Sequence, residues 1–226
     1  MRLALFDLDH TLLTGDSDVL WCAFLMGRSV LDRASFELRN RAMERDYQAG
    51  TVSTADFCGF YISTLAGRTP AQWQILREEF LRDEVAPRIP AAARALVQRH
   101  ADAGDLVVLT TATNRFITEL TAQHLGIEHL IATECETGVD GCFTGRPRGT
   151  LNMREGKVTR LRTWLGERGE GKGAIASTMA NATFYSDSSN DLPLLRAVGH
   201  AVAVDPDRKL QAAALDAGWP VLRLRR

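Results

Sequence analysis

No excess of either charge marks this chain: 27 Lys and Arg stand against 28 Asp and Glu, a formal net charge of -1. That balance leaves no basic face to capture nucleic acid or an anionic bilayer, so neither is expected as a partner, and no protein partner is inferred. The terminal Arg223, Arg225 and Arg226 read as a small solvated tail. Cysteine is sparse. Cys22, Cys58, Cys135 and Cys142 fall in no metal-ligand spacing and are too few for a disulfide scaffold, so reduced thiols and a cytoplasmic location are expected. Long hydrophobic runs are missing as well: Leu3 to Leu8 is soon interrupted by acid, far too early for a secretory core or a membrane span. Lysine is rare, at positions 157, 172 and 209 alone. What remains is an ordinary globular composition of 226 residues, 45% apolar and 24% charged, enough for one large domain or a core with an inserted module.

Leu3 to Leu8 reads as a buried strand that empties its polar residues, Asp7, Asp9, His10 and Thr11, at its C-terminal end. From residue 16 to 87 the pattern turns helical: Val19, Leu20, Ala23 and Phe24 recur at helical spacing, as do Phe57, Phe60, Tyr61 and Leu65. Gly50, Gly67 and the Thr69-Pro70 step punctuate this stretch, with Thr69 placed to cap a helix. Beyond Pro90 strands and helices alternate. A helix over Ala91 to Ala101 precedes a strand at Leu106 to Leu109, a helix from Arg115 to Leu125, and a strand at Leu130 to Thr133. Asp140-Gly141 suggests a hairpin. Helices follow Lys157 and Gly173, and strands are expected at Thr183 to Ser186, Ala201 to Val204 and Pro220 to Leu224, with a helix from Asp207 to Ala217 between the last two. The alternation predicts an α/β fold, a doubly wound, mainly parallel sheet built from residues 1–15 and 88–226, with 16–87 inserted as an all-helical cap.

Ligands of such sheets bind beyond the carboxyl ends of the strands, which is where each polar cluster falls. Asp7 with Asp9, Thr110 with Thr111, and Asp187 with Asp191 end three separated strands. Taken singly, each reads as a turn or a cap. Brought to one sheet edge, they crowd several carboxylates together, a costly arrangement that a divalent cation relieves. Oxygen ligands without a His or Cys cluster point to Mg2+.

The order and spacing of these segments resemble the haloacid dehalogenase superfamily: LFDLDHTLL is similar to its first motif, Thr111 to its second, Lys157 to its third and SDSSND to its fourth. The resemblance leans to the branch with a helical cap after the first motif, which includes phosphoserine phosphatases and some histidinol-phosphate phosphatases. It implies a phosphomonoesterase that passes through a phosphoaspartate. Asp7 would be the nucleophile, because a carboxylate can attack phosphorus and split one hard displacement into two. Asp9 would protonate the leaving alkoxide and then deprotonate water. Dehalogenases of the superfamily lack that second acid. Thr111 would donate to a phosphate oxygen, with Thr110 the competitor on the opposite face of the strand. Lys157 would meet the charge on the phosphoryl oxygens; Lys172 lies in a polar loop and Lys209 too late. Asp7, Asp187 and the Asp9 carbonyl would hold the metal, while Asp191 would act through a metal-bound water or hold Lys157. Asn190 and Ser188 could add hydrogen bonds to substrate. His10, beside two inward acids, is expected to point elsewhere, and the remaining histidines show no partner spacing.

The cap should choose the substrate. Asp16 lies nine positions after Asp7, where phosphoserine phosphatases carry a carboxylate for the substrate ammonium; it equally suits an N-cap, and Asp18 is close by. Arg39, Arg41 or Arg45 could pair a substrate carboxylate, but the segment ASFELRNRAMERDYQAG departs from the phosphoserine pattern. Trp21, Phe24, Phe57, Phe60, Tyr61 and Trp73 must mostly form the cap's own core. One of them facing the cleft would favour an imidazole-bearing alcohol phosphate. A small, amino-bearing phosphomonoester such as histidinol phosphate is therefore expected, with phosphoserine hydrolysis and phosphotransfer to an alcohol as alternatives. A non-catalytic aspartate-phosphorylated receiver needs neither Asp9 nor the helical insertion.

Overall fold

The computed structural model describes residues 2–48 and 51–224, so Gly50, Arg225 and Arg226 lie outside the described residues. Leu3–Phe6 forms β1, whose side chains are buried on both faces. Leu3 and Leu5 enter one hydrophobic layer and Ala4 and Phe6 the other, as a central parallel strand requires. Four helices follow: α1 (Ser17–Gly27), α2 (Arg33–Gln48), α3 (Thr54–Ile62) and α4 (Pro70–Phe80). Thr69 starts α4 through a reciprocal box, its hydroxyl accepting from Gln72 N while the Gln72 side chain accepts from Thr69 N. Short turns carry the chain to α5 (Ala91–Asp102) and back to the sheet at β2 (Leu106–Asn114).

Then come α6 (Arg115–His124), β3 (His129–Thr137), β4 (Phe143–Arg148), α7 (Glu155–Glu167), α8 (Lys172–Ala180) and β5 (Thr183–Ser186). The chain closes with α9 (Leu192–Ala197), β6 (His200–Val204), α10 (Arg208–Ala217) and β7 (Val221–Leu222). The sheet runs β4-β3-β2-β1-β5-β6-β7, parallel except where β4 returns antiparallel along β3. Residues from α1, α4, α5 and α6 cover one face of the sheet, and α7 to α10 cover the other. Because the chain leaves β1 toward β2 and later returns on its opposite side at β5, the crevice beyond these strand ends is the topological switch point.

β2 and β3 are each nine residues long, against the four expected. Apolar patterning marks only their sheet-buried halves; the polar continuations stay extended, that of β3 because β4 pairs with it. The expected hairpin turns at Gly141, whose φ is 76°. Gly145, at φ 80°, permits a close approach: a Cβ there would lie 3.0 Å from Ala66 Cβ and 3.2 Å from Ser63 Cα. Two backbone hydrogen bonds, Gly67 N to Phe143 O and Phe143 N to Arg68 O, join the same surfaces. His100 has structural partners in separate elements. Its Nδ1 lies 2.7 Å from Asp105 and its Nε2 2.8 Å from the Tyr185 hydroxyl, contacts between separate elements that sequence spacing cannot show. Among the described residues no helix is long and apolar enough to cross a membrane.

Candidate active site

β1 delivers Asp7 to the switch point, where its backbone N–H is held by Tyr185 O. Lys157, in the first turn of α7 and 2% exposed, donates to Asp7 Oδ1 and to Asp191 Oδ2, both at 2.7 Å. Burial alone would depress this ammonium, but Asp191 and Asp7 hold it above an ordinary lysine. Asp191 also accepts from Ser186 Oγ at 2.7 Å, which fixes its orientation. Of the two roles expected for Asp191, the geometry bears on the second, a hold on Lys157. Lys172 and Lys209 are exposed and line no part of this cavity.

Thr11 draws two carboxylates together. Its hydroxyl lies 3.2 Å from Asp7 Oδ2 and 3.0 Å from Asp187 Oδ1, and accepts from Asp187 N at 3.0 Å. One hydroxyl proton cannot satisfy both acids. Burial raises the Asp7 carboxyl well above the usual range, with Lys157 opposing and Asp191, Asp187 and Asp9 reinforcing; burial likewise lifts Asp187 to about 7. The donor set thus fits a hard divalent cation: two converging carboxylates with too little positive charge between them. Among the described residues no three acidic, His or Cys side chains gather into a cage.

The Asp9 side chain faces the helical insertion. Its Oδ1 accepts from Ser17 N at 2.7 Å, at the N-terminus of α1, where a negative charge is favoured. Its Oδ2 accepts from Thr113 Oγ1 at 2.8 Å and, more weakly, from Thr111 Oγ1 at 3.4 Å. Burial first, then the charge of Asp16, raises this carboxyl to about 6. Thr110 and Thr111 take opposite faces of β2. Thr110 Oγ1 accepts from Asn152 Nδ2, away from the acids, while Thr111 lies on the Asp9 side. Register with β3 slips between Thr111 and Asn114, which frees Ala112 and Thr113 to line the cavity.

The cavity, of about 240 Å³, has Asp7, Asp9, Lys157, Asp187 and Asp191 at its base. Asp16 and Asp18 stand on one wall, with Phe57, Cys58 and Tyr61 of α3. Asp16 Oδ1 caps α1 by accepting from Val19 N at 3.0 Å. Asn190 lines the rim and accepts from Arg154 Nε. His10, expected to point elsewhere, lies on the cavity wall: its φ of 58° turns it differently from a strand residue. Arg39, Arg41 and Arg45 do not line it; Arg39 stacks over Phe60 instead. Sequence reasoning gave no role to Thr11, Thr113 or Met153, and left Asp18 unassigned. Thr11 had a signal, four residues after Asp7, whereas Thr113 depends on a bulge that no spacing reveals.

Comparison with known proteins supplies a frame for this geometry. Residues 4–196 match the family model of haloacid dehalogenase-like hydrolases. A histidinol-phosphatase of Neisseria meningitidis serogroup C is 42% identical over 224 residues, covering 99% of each chain. The phosphoserine phosphatase SerB1 of Mycobacterium tuberculosis is 33% identical over 228 residues, 96% of this chain and 69% of that one. A crystal structure of a protein of unknown function from Bordetella pertussis Tohama I superposes with a TM-score of 0.91 at 42% identity, covering 99% of this chain and 98% of that one.

Proposed function

Because the chain belongs to the haloacid dehalogenase-like hydrolase family, we propose that it is a magnesium-dependent phosphatase of a small amino-alcohol phosphate, with histidinol phosphate the best-fitting substrate. One observation carries the substrate. The leaving-group wall combines Asp16 and Asp18 with Phe57 and Tyr61, while Lys157, the lysine or arginine among the lining residues, is committed to Asp7 and Asp191. An imidazole and an ammonium find aromatic faces and carboxylates there. The carboxylate of phosphoserine finds like charge there, and among the described lining residues no lysine or arginine is left uncommitted to receive it.

Asp7 attacks phosphorus, and its new O–P bond forms as the bond to the leaving oxygen breaks. Asp9 gives that oxygen its proton, a role suited to a buried carboxyl raised to about 6. Asp9 then takes a proton from water, whose oxygen attacks the same phosphorus; the acyl-phosphate bond breaks, releasing phosphate and restoring Asp7. Lys157 holds Asp7 in place and meets charge on the phosphoryl oxygens, with Asp191 orienting it and Thr111 helping to steady Asp9. Magnesium, held by Asp7, Asp187 and the Asp9 carbonyl, would neutralise the repulsion between these acids and a phosphate dianion. Residues 16–87 serve as the cap. Four unpaired cysteines suit a reducing, cytoplasmic setting.

Steady-state phosphate release from histidinol phosphate, phosphoserine and p-nitrophenyl phosphate, with magnesium and with excess chelator, tests this reading. Histidinol phosphate should exceed phosphoserine in kcat/KM by about tenfold or more, and chelator should abolish turnover. Faster hydrolysis of phosphoserine would overturn the substrate, and full activity in chelator the metal.

A further inference from the structure

Asp18, the second residue of α1, lines the cavity with one carboxylate oxygen unprovided for. Its Oδ2 lies 3.3 Å from Thr113 Oγ1, whose one proton the nearer Asp9 Oδ2 takes at 2.8 Å, and its Oδ1 is buried with no described donor in reach. A buried carboxylate oxygen without a donor is destabilising, so the position is kept for a partner the chain itself does not supply. The surroundings offer no relief. Cys22 lies one helical turn on, and burial raises the Cys58 thiol to about 12, so neither thiol brings charge. Asp16 and Asp9 add only repulsion.

Asp16, the more visible candidate in the sequence, is differently occupied. It caps α1 through Val19 N, a task that any good N-cap residue performs. Asp18 has no such task. Phe57 and Tyr61 line the same cavity, their mutual centroid distance 5.4 Å in an edge arrangement. A carboxylate beside aromatic rings suits an organic cation, which donates a charge-assisted hydrogen bond to the one and lies against the others.

Resting on the phosphatase reading above, we propose that Asp18 is the specificity-determining residue of the site. Its unpartnered oxygen accepts an N–H from the ammonium or imidazolium of the leaving alcohol, and Phe57 and Tyr61 flank that cation. Thr113 Oγ1 lies between the two carboxylates, 2.8 Å from Asp9 Oδ2 and 3.3 Å from Asp18 Oδ2, and so sets the distance between the group that reads the alcohol and the group that protonates it. The substrate class is thus a phosphomonoester whose alcohol carries a cation and no carboxylate.

The experiment compares kcat/KM for histidinol phosphate and for n-propyl phosphate, which lacks any cation, in the full chain with magnesium. The wild type should prefer the cationic substrate by about a hundredfold, and Asp18→Asn should cut that ratio by about tenfold or more. Asp18→Glu should recover part of it. Arg39→Ala, outside the cavity, should leave the ratio unchanged. An unchanged ratio in Asp18→Asn overturns the proposal, as does a wild type without preference. Should Asp18→Asn fail to fold by near-UV circular dichroism, inhibition of the wild type decides: histidinol should inhibit at about tenfold lower concentration than n-propanol, and equal inhibition overturns the proposal. A wild type that hydrolyses neither phosphate would instead remove the phosphatase reading, and this inference with it.

Discussion

At the scale of single residues, the deciding feature is how Lys157 is divided between two carboxylates. Asp191 Oδ2 accepts from both Lys157 Nζ and Ser186 Oγ at 2.7 Å, so besides raising the Asp7 carboxyl by its own charge it anchors the ammonium that Asp7 shares. Asp191→Asn should therefore lower kcat by about 10- to 100-fold, as loss of an orienting partner does, with little change in KM. Steady-state kinetics on a single substrate check this, and a wild-type kcat would show that Lys157 needs no second anchor. Much of this set was legible. Lysine is so scarce that position 157 stood out, and the acids fell at strand ends. Asp18 was harder to see because its importance depends on the phase of α1: Asp16 caps it, the Ser17 N–H takes Asp9, and only the next side chain is left with an unmet oxygen. No spacing rule encodes that rotation. His10 was misjudged for a related reason, since an alternation rule for strands does not survive a left-handed residue just past the strand end.

Elements behaved as their patterns implied wherever one face alone had to be buried. The Thr69-Pro70 start of α4 was readable because capping is local. Strand lengths and cross-element polar links were not. The clearest such link ties α5, β2 and β5: Asp105 accepts from Arg2 Nε at 3.1 Å and meets His100 Nδ1, and His100 in turn meets Tyr185, whose ring stacks on Phe6 at 4.8 Å. Burial opposes ionisation of Asp105, but the hydrogen bonds from His100 and Arg2 prevail and hold its carboxyl below the usual range. A depressed carboxyl contributes stability that is fully present above its unfolded value, about 3.9, and is lost as pH falls through the folded value. Urea midpoints should accordingly place Asp105→Asn below the wild type at pH 7, and the gap should narrow as pH drops below about 4. A gap that stayed constant to pH 3 would mean that the charge on Asp105 contributes nothing.

Across the whole molecule, the doubly wound core could be inferred from alternation alone, whereas the internal division of the helical insertion could not. Residues 16–87 look uniform in sequence, yet they pack into two unequal clusters. Trp21, Phe24, Trp73 and Phe80, from α1 and α4, share one continuous core with Phe6 of β1, Leu109 of β2 and Phe116 of α6. Cys22, Phe36, Phe60 and Tyr61 form a small separate group, and Phe36 is the buried hydrophobic residue through which α2 joins it. Local opening free energy follows the apolar contact that opening must break. α2 and α3 should therefore open before α1 and α4, so that the moving part of the cap is smaller than the insertion and carries Phe57 and Tyr61 with it. Hydrogen exchange read by mass spectrometry should show peptides from residues 33–62 exchanging well ahead of those from α1 and α4, whose protection should approach that of β1 and β2. Histidinol with phosphate, the proposed products, should slow exchange in α3 most, because that helix lines the cavity. Uniform exchange from α1 through α4 would instead mean that the insertion moves as one body, with its hinge where the chain leaves β1 and rejoins α5. In that case the aromatic contact between Trp21 and Phe80, 5.1 Å between ring centroids, would serve the cap's own cohesion more than its attachment to the core.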